Sequence, residues 1–292
     1  MSNKKILLGT VQMGLPYGVN NTAGRVTYAE AEMILVHAHS SGIQILDTAE
    51  AYGKAHTEIG RFHQENPDLR FDIITKLSKN EKPDQVRLKL ESFLNELHVD
   101  SLYALMFHSY DEYDNFKDHR NIISELKEAG SIRKFGVSVY TNEQVEALLE
   151  DPVVDFIQLP FNLLDNESQR GSVLRKAKKY GKEIHTRSAF LQGLFFMKPD
   201  SDHPAAIDLK RSLDQIRSIA KRENLSLPAL ALGYCMSKPY IDHVLIGVDS
   251  KLQLTENLKG LMEGISDEVI SEIDEIQVAN KDTLNPSLWN QK

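Results

Sequence analysis

Cysteine is the scarcest chemistry in this chain. One cysteine, Cys235, in 292 residues leaves no intrachain disulfide framework and no multi-cysteine zinc site. It falls in a helical-looking segment and reads as a buried structural thiol. Long apolar runs are missing as well. Only Ile6-Leu7-Leu8 follows the basic start Met1-Ser2-Asn3-Lys4-Lys5 before Gly9, too little for the apolar region of a signal peptide. No stretch has the length of a membrane span, so a cytoplasmic location is the expectation. Surplus positive charge is absent too: 34 Lys and Arg face 42 Asp and Glu, for a net charge of -8. The basic residues are scattered, which argues against a nucleic-acid surface while leaving room for a local anion pocket. Nucleotide-binding glycine fingerprints, Walker motifs and HExxH metal motifs do not occur.

What is present is an alternation. Short apolar, β-branched runs at 6–8, 43–47, 71–76, 102–107, 132–137, 154–159, 183–186 and 243–246 are each followed by a helical pattern. Thr27 with Glu30 three residues on predicts a capped helix ended by Gly42, Pro83 suits the first turn of the next-but-one helix, and Thr141 caps another. Single helices are expected over 116–129, 207–222 and 267–279, with a long loop at 187–204. Strands alternating with helices imply parallel pairing through right-handed crossovers. Eight such units in a chain of this length predict one (β/α)8 TIM barrel over residues 1–292, with residues 264–292 as an extra C-terminal helix and tail packed on it. An open doubly wound sheet is the competitor, but it has fewer units and opens on a glycine fingerprint.

A closed barrel delivers residues far apart in sequence to one rim, at the C-terminal ends of its strands. Asp47 and Tyr52 follow the second strand, Lys76 ends the third, and His108 follows the fourth. Singly, each is as well explained by capping, packing or a satisfied junction. Together they place a carboxylate, a phenol, an ammonium and an imidazole on adjacent staves. An ammonium beside a phenol favours its ionised form, an acid can fix that ammonium, and an imidazole can orient a carbonyl oxygen. None of these groups carries hydride, so reduction of a carbonyl needs a nicotinamide cofactor. A metal reading from His108 and Asp47 lacks a third ligand. A Schiff-base aldolase or lyase using Lys76 is the chemical rival, and a nicotinamide-binding regulatory subunit with little turnover is the other.

The run Asp47-Thr48-Ala49-Glu50-Ala51-Tyr52-Gly53, with Thr75-Lys76 ending one strand and His108 after Leu105-Met106-Phe107, resembles the aldo-keto reductase superfamily from Ile6 to about Leu261. The resemblance implies Tyr52 as general acid, assisted by Lys76 and Asp47, with His108 orienting the carbonyl. It implies NADP or NAD lying across the barrel mouth, over a floor formed in part by Gly9 to Met13, Thr10 among them. Gly136-Val137-Ser138 and Gln158 match the segments that hold the nicotinamide carboxamide, through Ser138 and Gln158. The stretch Ser188 to Leu194, with Phe190, Leu191 and Gly193, matches the pyrophosphate segment, and Glu256-Asn257 the adenine pair.

The chain departs from the family pattern in three regions. Val139 replaces an asparagine, and Arg187 stands where an aromatic ring commonly stacks on the nicotinamide. Gly247 or Asp249, and Gln253, occupy positions that are usually basic where a 2′-phosphate is held, with Lys251 as the one neighbouring cation. A carboxylate such as Asp249 suits a ribose 2′-hydroxyl and repels a 2′-phosphate. The expected substrate is a small aldehyde or ketone, sugar-derived or anionic, drawn to the mouth by His56, Arg61, His185 and Arg187. Trp289 is expected either to wall the pocket or to anchor the tail.

Overall fold

Strands too short to be stable alone close here into a ring. In the computed structural model, which describes residues 3–289 apart from 20, 22–23 and 79–81, eight strands pair in chain order. They are β1 (Ile6–Gly9), β2 (Ile45–Asp47), β3 (Asp72–Leu77), β4 (Leu102–Phe107), β5 (Ile132–Ser138), β6 (Phe156–Pro160), β7 (Glu183–Arg187) and β8 (His243–Gly247). Every pairing is parallel, and β8 returns to β1 through Ile6↔Val244 to Gly9↔Gly247. Closure leaves no edge to protect.

The period of two divides each strand between two cores. Leu7, Ile45, Ile74, Ala104, Met106 and Phe156 fill the barrel interior. The alternate residues, such as Leu8, Leu46, Ile73, Leu105, Val137 and Ile157, pack outward against the helices. Gly136 shows how tightly the interior is shared: a β-carbon there would lie 2.3 Å from the Phe156 ring, which occupies that space instead.

Local signals set most helix starts. Thr27 accepts from Glu30 N at the head of Tyr28–Ser40, and Thr141 forms a complete capping box with Gln144 before Asn142–Ala147. Pro83 opens a 3-10 turn, Pro83–Gln85, that leads into Val86–Leu97. Three expectations change. The helix expected over 116–129 is two, Tyr110–Phe116 and Arg120–Glu128, because Ser109 accepts from Glu112 N and starts the first a turn and a half earlier. The helix expected over 207–222 is also two, Pro204–Asp208 and Lys210–Arg222, with Pro204 at the first turn and His203 as its cap.

The C-terminal helix is Asp267–Asp274 and stops short of 279. Asn166 Nδ2 donates to the carbonyls of Ile273 (2.7 Å) and Ile276 (2.9 Å), satisfying the helix end that would otherwise continue. Tyr234 adds a 2.5 Å bond to Asp274 from the buried helix Leu227–Ser237. Residues 290–292 of the tail lie outside the described residues. No helix among the described residues is long and apolar enough to cross a membrane.

Candidate active site

The C-terminal ends of β1 to β8 open onto a cleft of about 550 Å³. Strand register puts Gly9 beside Asp47 and Gly247, Lys76 beside Met106, and Ser138 beside Gln158. Asp47, fully buried, ends β2, and the chain then turns sharply enough to bring Tyr52 back over the strand ends. Gly53 follows with φ +55°, a left-handed conformation that favours glycine.

Asp47, Tyr52, Lys76 and His108 all line this cleft. The Lys76 ammonium is ion-paired with Asp47 Oδ1, and it also reaches the Thr48 carbonyl at 3.3 Å and the Tyr52 hydroxyl at 3.5 Å. Gln158 Nε2 donates to the other oxygen, Asp47 Oδ2, at 2.8 Å. The carboxylate is thus divided between a cation and an amide, and both fix its plane. His108 meets the phenol from the other side, edge to face, with ring centroids 5.8 Å apart. Its backbone N–H donates to Glu112 Oε2 at 3.1 Å, which ties the end of β4 to the following helix.

Burial by itself would lower the pKa of the Lys76 ammonium, but the charge of Asp47 and the Tyr52 hydroxyl outweigh it and hold the group above its ordinary value. Schiff-base chemistry requires the neutral amine as nucleophile. A lysine held charged in this way is suited to electrostatic work beside the phenol, which disfavours the lyase reading.

Most of the residues expected around the cofactor also line the cleft: Gly9, Thr10, Ser138, Gln158, Arg187, Ser188, Phe190, Gly193, Gly247, Asp249, Gln253, Glu256 and Asn257. Two do not. Leu191 is fully buried in the outer core, its side chain turned away by a left-handed backbone (φ 47°), and Lys251 is exposed, its backbone N–H given to Glu30 Oε1 at 2.7 Å. Asp249, Gln253 and Glu256 therefore line their part of the cleft without the lysine that could serve a 2′-phosphate. Burial pushes the Asp249 carboxyl up, and Asn21 Nδ2 lies 3.4 Å from its Oδ1.

The donor set fits a nicotinamide at the inner end. Gln158 Oε1 and Gln12 Oε1 are buried without a hydrogen-bond partner among the protein groups, and both residues line the cleft. A β-carbon on Gly247 would lie 2.4 Å from Gln12 Nε2, so that glycine is what lets Gln12 sit there. Gln12 falls in the Gly9 to Met13 segment expected as floor, and Gln192 in the Ser188 to Leu194 segment. Tyr17 lies on the cleft with no motif to announce it: Val19 N donates to the Gln192 carbonyl (3.1 Å) and Gln192 Nε2 to the Tyr17 hydroxyl (2.9 Å), joining the loops after β1 and β7.

Arg187 lies on the cleft but is engaged with protein. Its guanidinium stacks 4.2 Å from the Tyr140 ring centroid, and Nη2 reaches the Val139 carbonyl at 3.4 Å. The other three residues expected to draw anions lie elsewhere. His56 is buried with Nε2 on Thr75 (2.8 Å), Arg61 is paired with Glu65 on an exposed helix face, and His185 is inside the barrel. Trp289 is an anchor: its indole N–H donates to the Thr283 carbonyl (2.9 Å) and its ring meets His203 edge to face.

Comparison with known proteins gives a consistent setting. The model of the aldo/keto reductase family matches residues 5–278. The NADH-specific methylglyoxal reductase of Escherichia coli strain K12 is 22% identical over 271 residues, covering 80% of this chain and 83% of the relative. The L-galactose dehydrogenase of Arabidopsis thaliana is 24% identical over 292 residues, covering 90% and 89%. Among solved structures, the glycerol dehydrogenase of Gluconobacter oxydans superposes with a TM-score of 0.75 at 22% identity, over 93% of this chain and 90% of that one.

Proposed function

The chain belongs to the aldo/keto reductase family of NAD(P)-linked carbonyl oxidoreductases, and we propose that it reduces small, oxygen-rich aldehydes or ketones with Tyr52 as the proton donor. The observation that carries this reading is the buried Lys76, charged, clamped to Asp47 and 3.5 Å from the Tyr52 hydroxyl on the floor of a cleft.

When bound, a reduced nicotinamide supplies the hydride for the carbonyl carbon. The chain does the rest. Tyr52 hydrogen-bonds the carbonyl oxygen and passes its proton to that oxygen as negative charge develops there. Lys76 stabilises the phenolate left behind, and Asp47, held in turn by Gln158, keeps the ammonium in place. His108, edge to face with the phenol, orients the substrate oxygen. Ser138 with Gln158 Oε1 and Gln12 Oε1 would hold the carboxamide, the loop from Ser188 to Gly193 the pyrophosphate, and Asp249, Gln253, Glu256 and Asn257 the adenosine.

NADH is the preferred donor in this reading, because Asp249 stands where a 2′-phosphate would need a cation and Lys251 faces away. The Escherichia coli relative is described as NADH-specific. Small, oxygen-rich carbonyl compounds fit a cleft whose lining includes Gln12, Tyr17, His108 and Tyr140, and methylglyoxal and L-galactose, for which two relatives are named, are of that kind. A diffusible nicotinamide donor suits a cytoplasmic setting. The test is fluorescence titration with NADH and with NADPH, followed by turnover of a panel of small aldehydes and sugars. Binding of neither cofactor ends the proposal; binding without turnover, unaffected by Tyr52→Phe, would favour a regulatory subunit.

A further inference from the structure

The opposite end of the barrel holds a second polar cluster. Glu183 and His243 are the first residues of β7 and β8, and His185 follows Glu183 by two, facing the same interior. His185 is fully buried and stacks on Phe156 of the inner core at 4.3 Å. Both of its ring nitrogens, Glu183 Oε2 and His243 Nδ1 are buried without a well-formed hydrogen bond, His185 Nε2 and Glu183 Oε2 merely facing one another at 3.5 Å. Each orphaned group of this kind costs about 1–3 kcal/mol, so several in one place call for an occupant.

Ligand atoms from the three residues lie within 4.8 Å of one another. His185 Nε2 and Glu183 Oε2 are 3.5 Å apart, longer than a good hydrogen bond. That separation is close to the edge, about 3.4 Å, of a tetrahedron whose centre is about 2.1 Å from each corner, as around zinc. His185 and His243 are also register partners, in a strand pair that, like β1 and β2, shows two partnered positions among the described residues.

We propose that Glu183, His185 and His243 bind a divalent transition-metal ion of the zinc type, which pins the starts of β7 and β8 together. Two imidazoles and one carboxylate leave a fourth position for water. The second carboxylate oxygen is ion-paired with Lys134, which also donates to the Tyr103 hydroxyl at 3.0 Å. Lys134 thereby orients the carboxylate, as an outer partner does around metals, while its charge opposes the ion and limits affinity.

The experiment uses untagged, metal-free protein titrated with Co2+, whose visible absorption reports four- or five-coordinate binding by nitrogen and oxygen. One equivalent is expected to bind, to be displaced by Zn2+, and to raise the melting temperature. Lys134→Met is expected to tighten Co2+ binding about tenfold by removing a like charge. His243→Ala, at a half-buried position, is expected to abolish the band in a folded protein. The proposal is overturned if neither the wild type nor Lys134→Met develops the band, or if the band survives His243→Ala.

Discussion

Gly14 and Tyr52 touch so closely that a β-carbon on Gly14 would lie 1.5 Å from the Tyr52 carbonyl oxygen. The turn that carries the phenol therefore rests on the backbone of the short helix Val11–Gly14, and Gly53 backs onto the Gly14 carbonyl in return. Gly14→Ala is expected to destabilise the fold by about 1–3 kcal/mol through overpacking. It should also displace Tyr52 and lower kcat by roughly tenfold or more, since small misplacements of a reacting group are that expensive. Chemical denaturation and steady-state kinetics read the two effects. An unchanged kcat in a folded variant would show that the turn does not position the phenol.

Tyr52→Phe removes the proton donor and one 3.5 Å contact of Lys76 while leaving the Lys76–Asp47 ion pair in place. Turnover should fall roughly 10²- to 10⁴-fold, with the dissociation constant of the cofactor little altered. Lys76→Met should be as severe kinetically and should also lower stability by roughly 3–5 kcal/mol, because Asp47 stays buried with only Gln158 as a partner. Melting curves separate the two variants where activity does not.

Asp249 sets the cofactor choice if it faces the ribose. Asp249→Ser should narrow the gap between NADH and NADPH, and Asp249→Arg should reverse it, by roughly tenfold or more from the change of charge. The ratio of the two dissociation constants is the measurement. Equal ratios across the three proteins would place the ribose elsewhere.

Cys235 should be inert. It is fully buried in the helix Leu227–Ser237, and burial pushes its thiol up to about 12 despite the neighbouring Lys5 and Lys238 charges. Alkylating reagent at about pH 8 is expected to leave the native protein unlabelled and to modify one site per chain in denaturant. Labelling of the native state would mean that the helix opens.

The barrel was legible because its signal is periodic: eight apolar runs, each short and each followed by a helix, leave few alternatives. The catalytic cluster was legible because its four members end adjacent strands, so chain position stood in for spatial position. Loops carry no such rule. Tyr17 and Tyr140 reach the cleft through turns whose course depends on tertiary contacts, and even Gln12, inside an expected floor segment, needs a glycine 235 positions away, at Gly247, to fit. Leu191 is buried and does not line the cleft, within a segment whose backbone is left-handed at Ser188, Leu191, Gln192 and Gly193. The helix from Tyr110 did have a signal, Ser109 three residues before Glu112, but it lies so soon after β4 that the loop masks it.

The bridge between Tyr17 and Gln192 has a kinetic meaning. It joins the loops after β1 and β7 beside the cleft, and a cofactor that bound beneath it would leave only as it opened. Unfastening, not bond-making, should then pace the cycle, and rapid mixing should reveal a first turnover faster than those that follow. Replacing the side chain of Gln192 with a methyl group should erase that difference by letting the cofactor leave at once.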